Sequence, residues 1–381
     1  MRKLLLFVCS IIGVTLFAAP EIRDLQVTSI APMGLAIDYN VSGATGDVRG
    51  CYLSVSMTGN GTNYLAKTLT GATNCVDGAH RVYWNMAKDG ITSVGADIPV
   101  KVKYAAGDGA LYCVIDLAGG SSAASYPVTY LNAEPSGGFN TTEYKTTKLV
   151  LKRVDPGSFI MGEDQTNESH RVTLTKPFYM GLYEVTQKQW VLVTGSANSN
   201  WHQGIGKGDA YSAHAVSYNT IRGTSKGAQW PTSNSVDSDS FLGQLRAKTG
   251  IDFDLPTEAQ WEYTCRAGTT TTYSYGDSAD GDYMWYVDNS LWSLHEVGTK
   301  LPNPWGFYDM HGNLYEWCLD WYNSSLSGGV DPAGPSSGSN RVLRGGAWAS
   351  EASNCTSSYR LELGPEVQLY GYGFRLSRTL P

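Results

Sequence analysis

"NPWGFYDMHGNLYEWCLDWY", residues 303–322, is the stretch on which the reading of this chain turns. Aromatic residues crowd it, and no regular period of apolar residues runs through it. It reads as irregular backbone packed by large rings rather than as a long helix or a plain strand. Inside it, Asp309 and Glu316 place hard oxygen donors on either side of a bend at Gly312. A loop of this kind turns the carbonyls of Gly312 and Leu314 inward. Calcium takes about six to eight such oxygens, many of them from backbone. The plainer reading is that Asp309 and Glu316 hydrogen-bond a tight turn.

Upstream, "LPTEAQWEYTCRAG" (255–268) reads as a helix capped by Thr257 and ended by Gly268, with Glu258 and Glu262 in its first turns. Trp261 and Cys265, four apart, share one face. "TQKQWVLVTG" (186–195) and "SDSFLGQLRAKTG" (238–250) are further short helices. From residue 20 to about 135 the pattern differs. "LAIDYNVSG", "RGCYLSVSMTG", "HRVYWNMA" and "IPVKVKYAA" alternate in part and are separated by Gly, Asn and Asp. That spacing predicts an all-β, immunoglobulin-like sandwich, a spacer or binding module with no catalytic constellation. The zone 116–147, dense in Gly, Ser and Thr, reads as linker-like, and residues 136–153 are assigned as the linker itself.

The chain has 381 residues, too many for one ordinary domain, so two are expected. A net charge of −7 and the lack of any Lys/Arg run exclude a phosphate-binding face, hence nucleic acid, and disfavour an anionic membrane surface. Arg2 and Lys3, the apolar run Leu4–Phe17 and the small Ala18 and Ala19 make residues 1–19 a secretory signal peptide. The run is shorter than the ~20 residues of a membrane span. The expected location is secreted or periplasmic. Of seven cysteines, removing Cys9 leaves Cys51, Cys75, Cys113, Cys265, Cys318 and Cys355. An even count in an oxidising compartment suggests disulfides, Cys51 with Cys75 among them. No CxxC occurs, and His170, His202, His214, His295 and His311 are scattered, which argues against a zinc or iron site.

Six motifs stand in order: "GSFIMGE", "HRVTLTKPFYMGLYEVTQKQW", "LPTEAQWEYTCRAG", "NPWGFYDMHGNLYEWCLDWY", "RVLRGGAW" and "GYGFRLSR". Together they resemble the formylglycine-generating enzyme family, the sulfatase-modifying factor domains, over residues 154–381. The resemblance implies an α+β, C-type-lectin-like fold with little regular structure. It implies calcium on the side chains of Asp309 and Glu316 and the carbonyls of Gly312 and Leu314; Asp309 stands where the family usually has Asn. It implies no second calcium, since "VDNSLWSLHEVGTKLP" lacks that pattern.

The family enzymes oxidise a cysteine of a sulfatase to formylglycine. They hold copper(I) on two cysteines five residues apart, just after an Arg-Gly-Gly-Ser stretch. Carried over, the first position falls on Ser350 and the second on Cys355, with Ala347 in place of the serine. A hydroxyl does not replace a thiolate on copper(I). Copper(I) is therefore expected only if Cys355 is a free thiol. An alternative alignment pairs Cys355 with Cys265 in a disulfide worth ~2–4 kcal/mol, with Cys318 as the other partner. Arg344 and Arg375 read as binders of loop carbonyls or a buried carboxylate, and Arg344 with Trp348 as a candidate ligand contact. Trp261, Trp305, Trp317, Trp321 and Trp348 read as core. The expected function is an exported, calcium-stabilised interaction module for a peptide, protein or glycan. The alternative is an active formylglycine-generating oxidase.

Overall fold

The computed structural model describes residues 21–30, 34–42, 51–59, 62–65, 69–71, 78–86, 100–106 and 110–380, apart from 164–168, 203 and 327. The expected signal peptide and Cys75 lie outside these residues. Two units divide the chain: Met1–Cys113 with Val128–Ser136, and Val114–Pro127 with Gly137–Pro381.

The first unit is β-rich. Glu21–Ile30, Gly34–Ser42, Gly78–Asn85 and Leu69–Gly71 form one antiparallel sheet in that order. Thr62–Leu65, Cys51–Gly59 and Val100–Ala106 form another. Alternation explains the pairing of the central strands. Ile37 opposes Val82 and Leu35 opposes Trp84. Ile37, Tyr39, Val82 and Trp84 are buried, while Tyr83 is exposed. Side chains thus alternate between a packed and a wet face, as a half-buried strand requires.

The second unit is built from small sheets and short helices. Ser377–Thr379, Phe178–Gly181 and Lys148–Val154 run antiparallel in that order. A four-stranded sheet is ordered Leu361–Leu363, Arg341–Arg344, Tyr315–Trp321, Tyr372–Gly373. Its second and third strands are antiparallel, with Glu316 opposite Arg344. Its last pair is parallel. Residues 136–153 are not a free linker. They contain the helix Thr142–Thr146 and the start of the strand Lys148–Val154, with Leu149, Val150 and Leu151 buried. The Gly/Ser-rich residues before "KLVLKRV" give no local sign of this strand.

The three longer helices form where their caps are. Thr186 and Gln189 make a capping box for Gln187–Thr194, and Gly195 ends it in the left-handed region. Ser240 caps Phe241–Thr249. Thr257 and Gln260 box the start of Glu258–Arg266. That helix ends one residue earlier than its glycine suggests, with Ala267 in the left-handed conformation at φ 48°. All nine of its residues are buried, so tertiary packing fixes its end. No helix among the described residues is long and apolar enough to cross a membrane.

Candidate functional site

The strand Arg341–Arg344 runs into two left-handed glycines, Gly345 at φ 100° and Gly346 at φ 78°. A Cβ on Gly346 would overlap Cys355 Sγ and crowd the Asn354 carbonyl. Glycine there lets the chain fold back so that the 3-10 turn Ala352–Cys355 packs its thiol against the backbone. Ser350 Oγ accepts the Ala347 N–H at 3.0 Å. Cys355 also feels the N–H groups of Ala347 and Gly312. Residues 350 and 355 therefore both border the Ala347 amide.

Their chemistry is unlike a thiolate pair. Cys355 is buried with Tyr273 and Met284, and Tyr275, Tyr286 and Ala352 pack around them. Burial pushes its thiol up to about 12, against the weaker pull of the two amides. At neutral pH it is a protonated thiol, 3.6 Å from the Glu351 carbonyl. Ser350 offers only a hydroxyl, already engaged.

Cys265 lies close by. Its sulfur is 3.6 Å from His311 Nε2 and 3.7 Å from the Met310 carbonyl. His311 Nδ1 is 2.7 Å from the Cys355 carbonyl, so Nδ1 carries the proton. Nε2 is then the acceptor for the Ser274 amide at 3.2 Å and the Ser274 hydroxyl at 2.9 Å. Burial holds this imidazole near 4, so it is neutral. The expected Cys265–Cys355 disulfide is not formed. Cys265, Cys318 and Cys355 are free, buried thiols. The His311 ring bridges the Cys265 side chain and the Cys355 backbone, where the crosslink was expected. Burial also pushes Cys265 up to about 12.

Of the residues expected to hold calcium, Glu316 meets a different cation, Arg375. Glu316 is fully buried. Its carboxylate takes Arg375 Nε at 2.6 Å, Arg375 Nη2 at 2.6 Å and Trp261 Nε1 at 2.8 Å. Asp309, left-handed at φ 55°, accepts the Gly298 N–H at 2.7 Å. Burial raises its carboxyl to about 6. Gly312 presses on the Trp285 backbone, where no Cβ fits, and donates its N–H to the Gly345 carbonyl at 2.7 Å. Leu314 donates its N–H to Glu184 at 3.2 Å. Glu184 also binds Asn313 Nδ2 at 2.7 Å and the Ser212 hydroxyl, and burial pushes it well above the carboxylate range. Among the described residues no group of three His, Cys, Asp or Glu side chains is arranged for a metal ion. With both Glu316 oxygens on Arg375, this donor set does not fit calcium.

Arg344 is wholly buried. It pairs with Glu262 and donates to the Ser358 carbonyl at 2.6 Å and to the Tyr359 carbonyl. Its guanidinium is thus engaged inside the fold and is not exposed to solvent. Trp348 packs with Leu294 and Leu314, and its Nε1 has no partner. Trp261 and Trp317 are fully buried, whereas Trp305 and Trp321 are half-buried. Sequence reasoning missed Glu184, a lone carboxylate in the apolar run before Thr186. It also missed His311, whose only signal was its place beside Gly312.

The model of the sulfatase-modifying factor enzyme 1-like domain matches residues 138–380. The serine/threonine-protein kinase pkn1 of Chlamydia pneumoniae is 28% identical over 61% of this chain and 38% of its own length. The chain thus spans under two-fifths of the chlamydial kinases it matches. The chaperone protein LppX of Paenibacillus barcinonensis is 29% identical over 58% of this chain and 86% of its own. The formylglycine-generating enzyme of Streptomyces coelicolor is 35% identical over 28% of this chain and 39% of its own. Among solved structures, Treponema denticola variable protein 1 superposes with a TM-score of 0.50 at 28% identity, over 61% of this chain and 96% of that one.

Proposed function

Since the chain belongs to the sulfatase-modifying factor enzyme 1-like family, we propose that it keeps the family fold as an interaction module and does not carry the copper-dependent oxidation. One observation carries this. The first cysteine position holds Ser350, whose hydroxyl accepts the Ala347 N–H. Its partner position holds a buried thiol at about 12. Two soft thiolates at neutral pH are what copper(I) would need, and this pair supplies none. Relatives whose names specify a kinase or a chaperone support a domain used for more than one purpose.

In this reading the protein is exported by its N-terminal segment. The β-rich unit is an immunoglobulin-like spacer, and the loops of the second unit meet a peptide, protein or glycan. Rigid packed elements that display irregular loops suit that role. The test is copper(I) titration of the reduced protein, together with turnover of a cysteine peptide bearing a sulfatase motif. Neither tight copper uptake nor aldehyde formation is expected. Stoichiometric copper binding with aldehyde product would overturn the reading. The oxidase remains the second reading, favoured by the freedom of Cys355 from any disulfide.

A further inference from the structure

Arg375 lies at the centre of an oxygen cage. Its Nε and Nη2 reach the two Glu316 oxygens at 2.6 Å each. Nη1 donates to the Gly181 carbonyl at 3.0 Å. Nη2 also meets the carbonyls of Tyr308 at 2.9 Å and Asp309 at 3.4 Å. Two carboxylate oxygens and three carbonyls thus surround one positive group. They come from the strand Phe178–Gly181, the loop 308–309 and the strand Tyr315–Trp321. Arg375 and Glu316 are both fully buried. A hard divalent ion collects the same kinds of oxygen. The planar guanidinium fork meets them without losing a hydration shell as costly as that of an ammonium or metal ion.

We propose that the Arg375 guanidinium, and not a divalent metal ion, is the cation that organises the 309–316 loop of this protein. The loop's Asp309 carboxylate accepts the Gly298 amide and makes no hydrogen bond to the guanidinium. The assignment is independent of the interaction reading above, since it concerns how the loop is held and not what it binds.

The experiment is thermal unfolding of the full chain after chelation, with and without millimolar calcium, alongside Arg375→Ala. Calcium is expected to leave Tm unchanged. A rise in Tm that Asp309→Ala abolishes would overturn the proposal. A rise that Asp309→Ala leaves intact places the ion elsewhere and upholds it. Arg375→Ala strands a buried carboxylate, so its Tm is expected to fall by about 10 °C or more. Millimolar methylguanidinium should restore part of that loss and methylammonium should not. An Arg375→Ala protein that melts like the parent would also overturn the proposal. If Arg375→Ala gives no folded protein, the calcium measurement on the unaltered chain decides alone.

Discussion

Ser350 and Gly346 show how far one side chain decides the chemistry of this loop. Ser350→Ala takes the oxygen acceptor from the buried Ala347 N–H and leaves it only the weaker Cys355 sulfur. It is expected to destabilise by about 1–3 kcal/mol in urea unfolding. Ser350→Cys puts sulfur where the family's first cysteine belongs. Copper(I) competition against a chromophoric chelator should then show tighter binding than in the parent. Unchanged binding would mean that residues 350 and 355 do not face a shared ion. Gly346→Ala forces a Cβ into Cys355 Sγ from a left-handed backbone. A loss of about 2 kcal/mol or more is expected by the same measurement. The substitution at 350 was legible in the sequence because a missing cysteine leaves a gap in a motif. The role of His311 was not, because its partners Ser274, Cys265 and Cys355 are distant in sequence and meet only in the fold.

The helix Glu258–Arg266 carries a prediction of its own. Asp320 accepts the Glu258 N–H at 2.8 Å and so helps to cap it. Burial, with the Glu258 carboxylate beside it, raises Asp320 from 3.8 to about 7. An acid raised on folding binds its proton more tightly in the native state than in the unfolded one. Its contribution to stability is therefore lost as pH rises through that window. Asp309, raised to about 6 by burial, acts in the same direction. Tm should fall from about pH 4 to about pH 7, and Asp320→Asn should flatten the fall while keeping an oxygen for the Glu258 amide. An unchanged slope in Asp320→Asn would remove Asp320 as its source. The helix itself was plain in the sequence, because the Thr257–Gln260 box and its flanks are local. Its acidic cap was not, because Asp320 comes from a strand 62 residues on.

The two units exchange segments along the chain. Val114–Pro127 belongs to the second unit, although Val128–Ser136 returns to the first. Tyr126 explains the attachment. Its N–H donates to the Lys248 carbonyl at 2.9 Å, its hydroxyl reaches the Leu192 carbonyl at 2.8 Å, and Lys248 Nζ sits over its ring at 4.8 Å. Leu117 N–H also bonds the Thr147 carbonyl at 2.8 Å. A fragment beginning at residue 138 loses all of this. It should melt several degrees below one beginning at residue 110, by circular dichroism. Equal melting would show that the segment adds nothing. The Gly/Ser-rich sequence hid this attachment, since "AGGSSAAS" reads as linker whatever Tyr126 does a few residues later. The six motifs, by contrast, made the family of the second unit legible, because each is a short contiguous run and all six stand in order.

The lateness of Arg375 in the chain has a consequence for biosynthesis. Glu316, Gly181 and the Tyr308 carbonyl are all made before the group that joins them. Ser377–Thr379, which completes the sheet beside Phe178–Gly181, is made later still. A ribosome that stalls, or a protease that clips the tail, leaves a buried carboxylate with no counter-charge and a sheet edge with no partner. Leaving that carboxylate unpaired inside the fold costs several kcal/mol.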